Sequence, residues 1–251
     1  MTAILLSLVL NGLLIFLTLA LIQRRRMFEQ PGLLALFFGV YFLDNLTITL
    51  TNRFPVLQFV PNPTWEGFLV CAWSGKLYSV LLVLGLLWLA PFPVDREQVG
   101  LTLRQKEGFF LPASLVILAL AAWSLLVGIH SPKGQLNFGV LAYLALMPAL
   151  NEEVVYRGFL LAVLNRLMPP RHNLFGAQIG WGAIVTSLLF GLLHGLWLDN
   201  DLAVQLDVIA LRNSAISGFI FAWLRERTGS LALPMLAHGM EDFLFFLPRM
   251  V

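Results

Sequence analysis

Asn151-Glu152-Glu153-Val154-Val155-Tyr156-Arg157-Gly158-Phe159-Leu160 sets two carboxylates and a guanidinium inside a stretch otherwise apolar enough to cross a bilayer. Near the middle of a membrane helix each ionisable side chain costs roughly 2.5 to 3.5 kcal/mol on insertion scales. Packing alone does not offset several such groups, so the default reading of this helix is a functional site. Glu153 and Arg157 are four positions apart, on one helix face, and are expected to pair. Glu152 is rotated by about 100° from Glu153 and is expected to remain a spare carboxylate, free to act as a general acid or base.

The rest of the chain explains why this run stands out. Of 251 residues, 59% are hydrophobic and only 12% charged, with a mean hydropathy of +0.82. Such values lie outside the range of soluble domains and indicate an integral membrane protein. The apolar runs are about 20 residues long and rich in Leu and Ala, which favours an all-α, polytopic transmembrane helical bundle over a barrel. About eight spans are expected, at 3–22, 31–50, 66–91, 109–129, 138–168, 176–198, 204–224 and 231–247. Met1-Thr2-Ala3 supplies no basic region ahead of the first run, so it reads as a retained span rather than a signal peptide. The single Cys71 reads as a small core residue.

Sorting the basic residues by loop gives Arg24, Arg25, Arg26, Arg96, Arg104, Lys106, Arg166, Arg171, Arg225 and Arg227 on one side, and only Arg53, Lys133 and Arg249 on the other. The positive-inside rule makes the richer side cytoplasmic and puts both termini outside. This topology accounts for the basic pI without nucleic acid as a partner. Val99, Leu101, Leu103 and Phe109 would let part of the loop at 92–108 lie in the membrane interface.

Two further motifs lie downstream. The expected sixth span contains Phe190-Gly191-Leu192-Leu193-His194, and the eighth contains His238-Gly239-Met240-Glu241-Asp242. Of the four histidines, His130 and His172 fall in loops, while His194 and His238 fall in spans. Two span histidines beside a two-glutamate helix, with Asp242 one turn from His238, point to a shared polar site.

Glu-Glu-x-x-x-Arg, Phe-x-x-x-His and His-x-x-x-Asn/Asp, in this order on three spans, resemble the CPBP intramembrane proteases, the CAAX-processing and bacteriocin-processing group also called the ABI family. The resemblance covers roughly residues 138–247 and extends to Arg227-Thr228-Gly229-Ser230-Leu231 and Gly218. It implies that Glu152 and His194 activate a water, that His238 and Asp242 stabilise an oxyanion, and that Glu153, Arg157 and Phe190 support them. It divides the chain into N-terminal spans without a catalytic motif (1–130) and a catalytic helical core (131–251). Asp242 departs from the asparagine common in this motif. An ionised aspartate would repel an oxyanion, so Asp242 is expected either to be neutral or to orient His238.

Glu152, His194 and His238 also form a ligand set known at catalytic zinc, so a metalloprotease is the alternative. The helical His-Glu-x-x-His element is absent, however, and Glu152 as a ligand would leave no base, so a metal-free glutamic protease without cofactor is preferred. A proton-coupled transporter or channel is the rival from another class. It would ordinarily show charges repeated between the halves, and here they concentrate in the second. Asp44, Asn45 and Lys76 are expected to bond between helices, Asp207 to pair poorly with Arg212, and Arg212 or Asn213 to line the cavity. The expected partners are the lipid bilayer and a membrane-anchored, lipid-anchored or C-terminally tagged protein substrate, and the expected location is a prokaryotic cell membrane.

Overall fold

The computed structural model describes residues 1–65, 69–89 and 93–251. Helices α1 (Thr2–Glu29) and α2 (Pro31–Arg53) form an apolar hairpin, with Pro31 at the first helical position where its missing N–H costs nothing. A small hairpin of β1 (Thr64–Trp65) and β2 (Leu69–Val70) leads to α3 (Trp73–Leu89), and a one-turn helix α4 (Arg96–Val99) precedes α5 (Phe110–Ile129). The motif-bearing half follows. It consists of α6 (Phe138–Glu152), a π-helical segment Glu153–Leu160, α7 (Leu161–Leu167), hairpin β3 (His172–Leu174)–β4 (Ala177–Ile179), α8 (Trp181–Gly195), hairpin β5 (Leu196–Leu198)–β6 (Val204–Leu206), α9 (Val208–Thr228) and α10 (Ala232–Phe246).

The protein is an all-α membrane bundle. Helices α1, α2, α5 and the continuous segment Phe138–Leu167 are long and apolar enough to cross a membrane, and α3 and α8 are shorter apolar helices. Many large apolar side chains face outward, among them Leu13, Leu17, Leu115, Leu118 and Trp123, as expected of surfaces that lipid covers. The expected third span, 66–91, begins and ends at residues outside the described ones, and its described helix starts at Trp73. The expected sixth span is too long at both ends, and the expected seventh starts and ends about four residues early. Residues 177–179, 196–198 and 204–206 form short strands, so α8 starts at Trp181 and ends at Gly195, and α9 runs from Val208 on to Thr228.

Lipid offers no hydrophobic drive for helices to associate, so close backbone approach matters more than in water. Gly191 and Gly195 supply it between α8 and α9: a Cβ there would lie 2.6 Å from the Leu211 carbonyl oxygen and 2.5 Å from that of Asp207. Gly239 does the same between α10 and α6, where a Cβ would meet the carbonyl oxygen of Ala145. The Arg227–Leu231 phrase is the turn that reverses the chain. Gly229 ends α9 in the left-handed region (φ +78°), and Ser230 Oγ accepts from Ala232 N at 3.1 Å, at the start of α10.

One face of the bundle gathers most of the basic loops. Asp95 and Gln98 form a reciprocal cap on α4, the buried Arg225 donates to the carbonyls of Gln98 (2.5 Å) and Val99 (3.3 Å), and Lys106 Nζ donates to that of Glu226. Val99 is fully buried while Leu103 is exposed, so the described part of the 92–108 loop is an anchored cap with one apolar residue directed outward. At another loop Gly134 N donates to Arg249 O, tying the α5–α6 loop to the C-terminal end.

Candidate active site

Pro148 deprives α6 of one backbone donor, and five residues after it the helix widens into the π-helical segment Glu153–Leu160. Such segments are rare and concentrate at functional sites. Glu153 and Arg157 pair as the sequence indicated, with Arg157 Nη1 donating to Glu153 Oε1 at 3.1 Å, both side chains wholly buried. The guanidinium carbon lies 4.1 Å from the centre of the Phe190 ring and 5.2 Å from that of Phe221, which supplies cation–π contact where hydrogen bonds are lacking. Gly218 makes room for it: a Cβ at 218 would be 3.0 Å from Arg157 Nη2.

Glu153 Oε1 also accepts from His238 Nδ1 at 2.8 Å. A carboxylate can only accept, so Nδ1 carries the proton and Nε2 faces the site. The imidazole stacks on Phe221, centroids 4.8 Å apart at 14°, which fixes its plane. Its Nε2 stands 3.7 Å from Glu152 Oε2 and 3.7 Å from Asp242 Oδ2. His194 Nδ1 donates to the backbone carbonyl of Phe190 at 2.7 Å, so its Nε2 is the bare, basic nitrogen. Phe190 lies between the two histidines, its ring centre 4.5 Å from that of His194 and 6.1 Å from that of His238.

Glu152 is not the spare carboxylate that the helix geometry suggested. Lys76 Nζ of α3 donates to its Oε1 at 2.5 Å and approaches Asn151 Oδ1 at 3.5 Å. Asn151 Nδ2 in turn donates to Asp44 Oδ1 at 3.0 Å, and Ser79 Oγ donates to the same oxygen at 2.5 Å. Asp44 and Lys76 thus bond between helices as expected, and their chain of contacts ends on Glu152. Asn45 donates to the Tyr41 carbonyl and approaches Tyr156 Oη at 3.4 Å. Lys76 and Asp44 were visible in the sequence as charges within spans, but nothing in their spacing names a partner on a distant helix.

A cavity of about 350 Å³ opens beside this cluster, walled by Asp44, Lys76, Asn151, Glu152, Tyr156, Phe190 and His194 together with apolar residues of α1, α2 and β5. Arg212 and Asn213 are not on its walls; they are exposed and bonded to each other, Nη2 to Oδ1 at 3.0 Å. Asp207 does not pair with Arg212 either but caps α9, accepting from Ile209 N and Ala210 N. Glu241 accepts from Ser217 Oγ at 2.6 Å. Among the described residues no three His, Cys, Asp or Glu side chains are arranged to hold a metal ion.

The structure therefore brings Glu152, Glu153, Arg157, Phe190, His194, His238 and Asp242 into one neighbourhood from α6, the π segment, α8 and α10. No curated protein and no solved structure gives a significant match to the chain. A family model, described as type II CAAX prenyl endopeptidase Rce1-like, matches residues 134–244. All three motifs lie inside that segment, so the second half of this multi-pass membrane protein is similar to the Rce1-like type II CAAX prenyl endopeptidases.

Proposed function

We propose that the protein hydrolyses a peptide bond with a water activated by Glu152 and His194, without a metal. The observation that carries this reading is a cavity walled by Glu152 and by His194 with its bare Nε2; His238 is not on that wall, but its Nε2 stands 3.7 Å from the Glu152 carboxylate. Glu152 takes a proton from the water as its oxygen bonds to the scissile carbonyl carbon. The carbonyl π electrons move to oxygen, and His238, as the imidazolium with a second N–H at Nε2, and the Asp242 carboxyl act as donors to that charge. Collapse of the tetrahedral intermediate breaks the C–N bond, and the proton passes from Glu152 to the leaving nitrogen, giving a new carboxylate and a new amine. Glu153 and Arg157 hold His238, and Lys76 keeps the buried carboxylate charged and oriented.

Zinc on Glu152, His194 and His238 does not fit this arrangement. The Lys76 ammonium already rests 2.5 Å from Glu152 Oε1, and a divalent ion on the same carboxylate would face it at close range in a medium of low dielectric. The reading therefore routes no step through a metal.

Asp242 is assigned the role of a neutral acid donating to the oxyanion. Its Oδ2 is too far from His238 Nε2 for a direct hydrogen bond, which leaves room for a donor role toward substrate. The test is a pair of variants assayed on an internally quenched, S-farnesylated C-terminal peptide. Asp242→Asn keeps a donor and is expected to retain activity, whereas Asp242→Leu is expected to lower turnover about a hundredfold. If both are equally inactive, the carboxylate is needed as an anion and the oxyanion role is wrong.

The substrate is proposed to be a membrane- or lipid-anchored polypeptide cut near its membrane-proximal or C-terminal end. The cavity reaches toward the N-terminal end of α1 and toward β5, with Ile4, Ser7 and Leu198 on its wall. By the charge count that end is extracytoplasmic, which would favour exported substrates. Single cysteines at Lys133 and Arg171 are expected to label from outside and inside respectively; cytoplasmic labelling at 133 would reverse the orientation.

A further inference from the structure

The β5–β6 hairpin follows His194 after a single residue. Trp197 pairs with Gln205, Gly195 O accepts from Asp207 N at 2.8 Å, and Asp199 N donates to Ala203 O at 3.1 Å. In an antiparallel ladder the alternate residues, Leu196 and Leu198, then turn their own backbone groups to the other edge. The hairpin tip is pinned by the Asp199 carboxylate, which accepts from Ala203 N, Gln205 Nε2 and Asp201 N; these donors, the Ala203 amide foremost, hold it below the usual carboxylate range. This edge is a rigid feature beside the cavity.

No third strand covers the edge among the described residues; α1 does. Asn11 Nδ2 donates to Leu196 O at 3.2 Å, and Ser7 Oγ accepts from Leu198 N at 2.8 Å. Leu196 C=O and Leu198 N–H flank Trp197, and they are the acceptor and donor that one residue of an added strand bridges. Ser7 and Asn11, one helical turn apart, stand in for that residue. The replacement is incomplete, because Asn11 Oδ1 is buried on the cavity wall without a partner. At the opposite end of α1, Gln23 leaves helical geometry (φ −144°, ψ 40°) and provides a hinge.

We propose that α1 is a substrate gate: an extended, apolar segment of a membrane-anchored polypeptide adds as a strand to the free edge of β5, displacing Ser7 and Asn11, and so crosses the cavity over Glu152 and His194. The proposal rests on the peptidase reading above. In a helix a substrate's carbonyls are bonded and shielded, so attack requires local unwinding. Unwound backbone in lipid leaves donors and acceptors that cost several kcal/mol each unless something satisfies them. The β5 edge offers such partners next to the reacting groups, and strand addition of this kind is a general mode of peptide capture. Ile4, Leu8, Ile48 and Leu193 on the cavity walls suit apolar side chains alternating along the strand.

Joining α1 to β5 tests this. Ser7 Oγ accepts from Leu198 N at 2.8 Å, so Ser7→Cys with Leu198→Cys is the pair to oxidise, its crosslink verified by mass. In the full-length protein, assayed on the quenched farnesylated peptide, oxidation is expected to abolish cleavage and reduction to restore it. Equal rates in the oxidised, verified-crosslinked and reduced states would overturn the gate while leaving the peptidase reading intact. No cleavage by wild type of either the farnesylated peptide or a single-span membrane-anchored polypeptide would overturn the peptidase reading itself, and the gate with it. A second measurement is independent of the crosslink: methylating single backbone nitrogens of the peptide is expected to reduce kcat/KM at least tenfold at one position away from the scissile bond. A flat response across all such positions would overturn strand addition.

Discussion

Glu152→Gln is expected to insert, to be less stable than wild type because the buried Lys76 loses its counter-charge, and, in the folded fraction, to cleave the farnesylated peptide about a thousandfold more slowly. Glutamine keeps the size and the acceptor oxygen that Lys76 bonds, but it cannot take a proton from water. General-base catalysis contributes roughly 10² to 10⁴ in rate, and the loss should appear in kcat with little change in KM. His194→Gln should fall into the same range, because the bare Nε2 is the other basic atom on the cavity wall. Wild-type turnover by Glu152→Gln would remove Glu152 from the reaction.

The second large effect is on stability. Arg157→Met leaves Glu153 charged, wholly buried, and partnered only by His238. Breaking one side of a buried ion pair typically costs about 3 to 5 kcal/mol, because the remaining charge is uncompensated. The variant is therefore expected to unfold at a markedly lower denaturant concentration in micelles. Arg157→Met combined with Glu153→Gln should recover most of that loss, since a neutral amide oxygen still accepts from His238 Nδ1. If the single variant is as stable as wild type, the pair does not hold the π segment and α10 together as described.

The contrast between these residues shows what the sequence makes legible. The Glu153–Arg157 pair lies within one helix, so a four-residue spacing reveals it even though the backbone there is π-helical. His194 and His238 were visible as rare polar groups in apolar runs, and their motifs, once joined by order and spacing to a known family, named the neighbourhood that the fold assembles. Lys76 and Asp44 were equally visible as charges, but their contacts with α6 come from a helix packing that no local pattern encodes. Their expected role, bonding between helices, holds as far as it goes. The further fact that this network ends on Glu152 could only be seen in three dimensions, and it changed Glu152 from a spare carboxylate to an ion-paired one.

The hairpins were hidden for a different reason. Leu196-Trp197-Leu198 and Val204-Gln205-Leu206 are apolar enough to read as the ends of spans, and a three-residue strand gives too little alternation to be recognised. The overestimated spans and the unseen β5 edge are thus one error. It fell at the place where irregular backbone lines a cavity, the situation in which a membrane interior tolerates it.

The claim that Glu152 activates water without a metal is tested most directly by measuring zinc content and activity on the same purified sample, before and after chelation. Loss of activity in Glu152→Gln alone does not separate a base from a ligand, and this measurement does. The account predicts full cleavage of the farnesylated peptide with far less than one zinc per chain and no response to chelator. Stoichiometric zinc, with activity lost on its removal and regained on its return, would contradict it and make Glu152, His194 and His238 metal ligands.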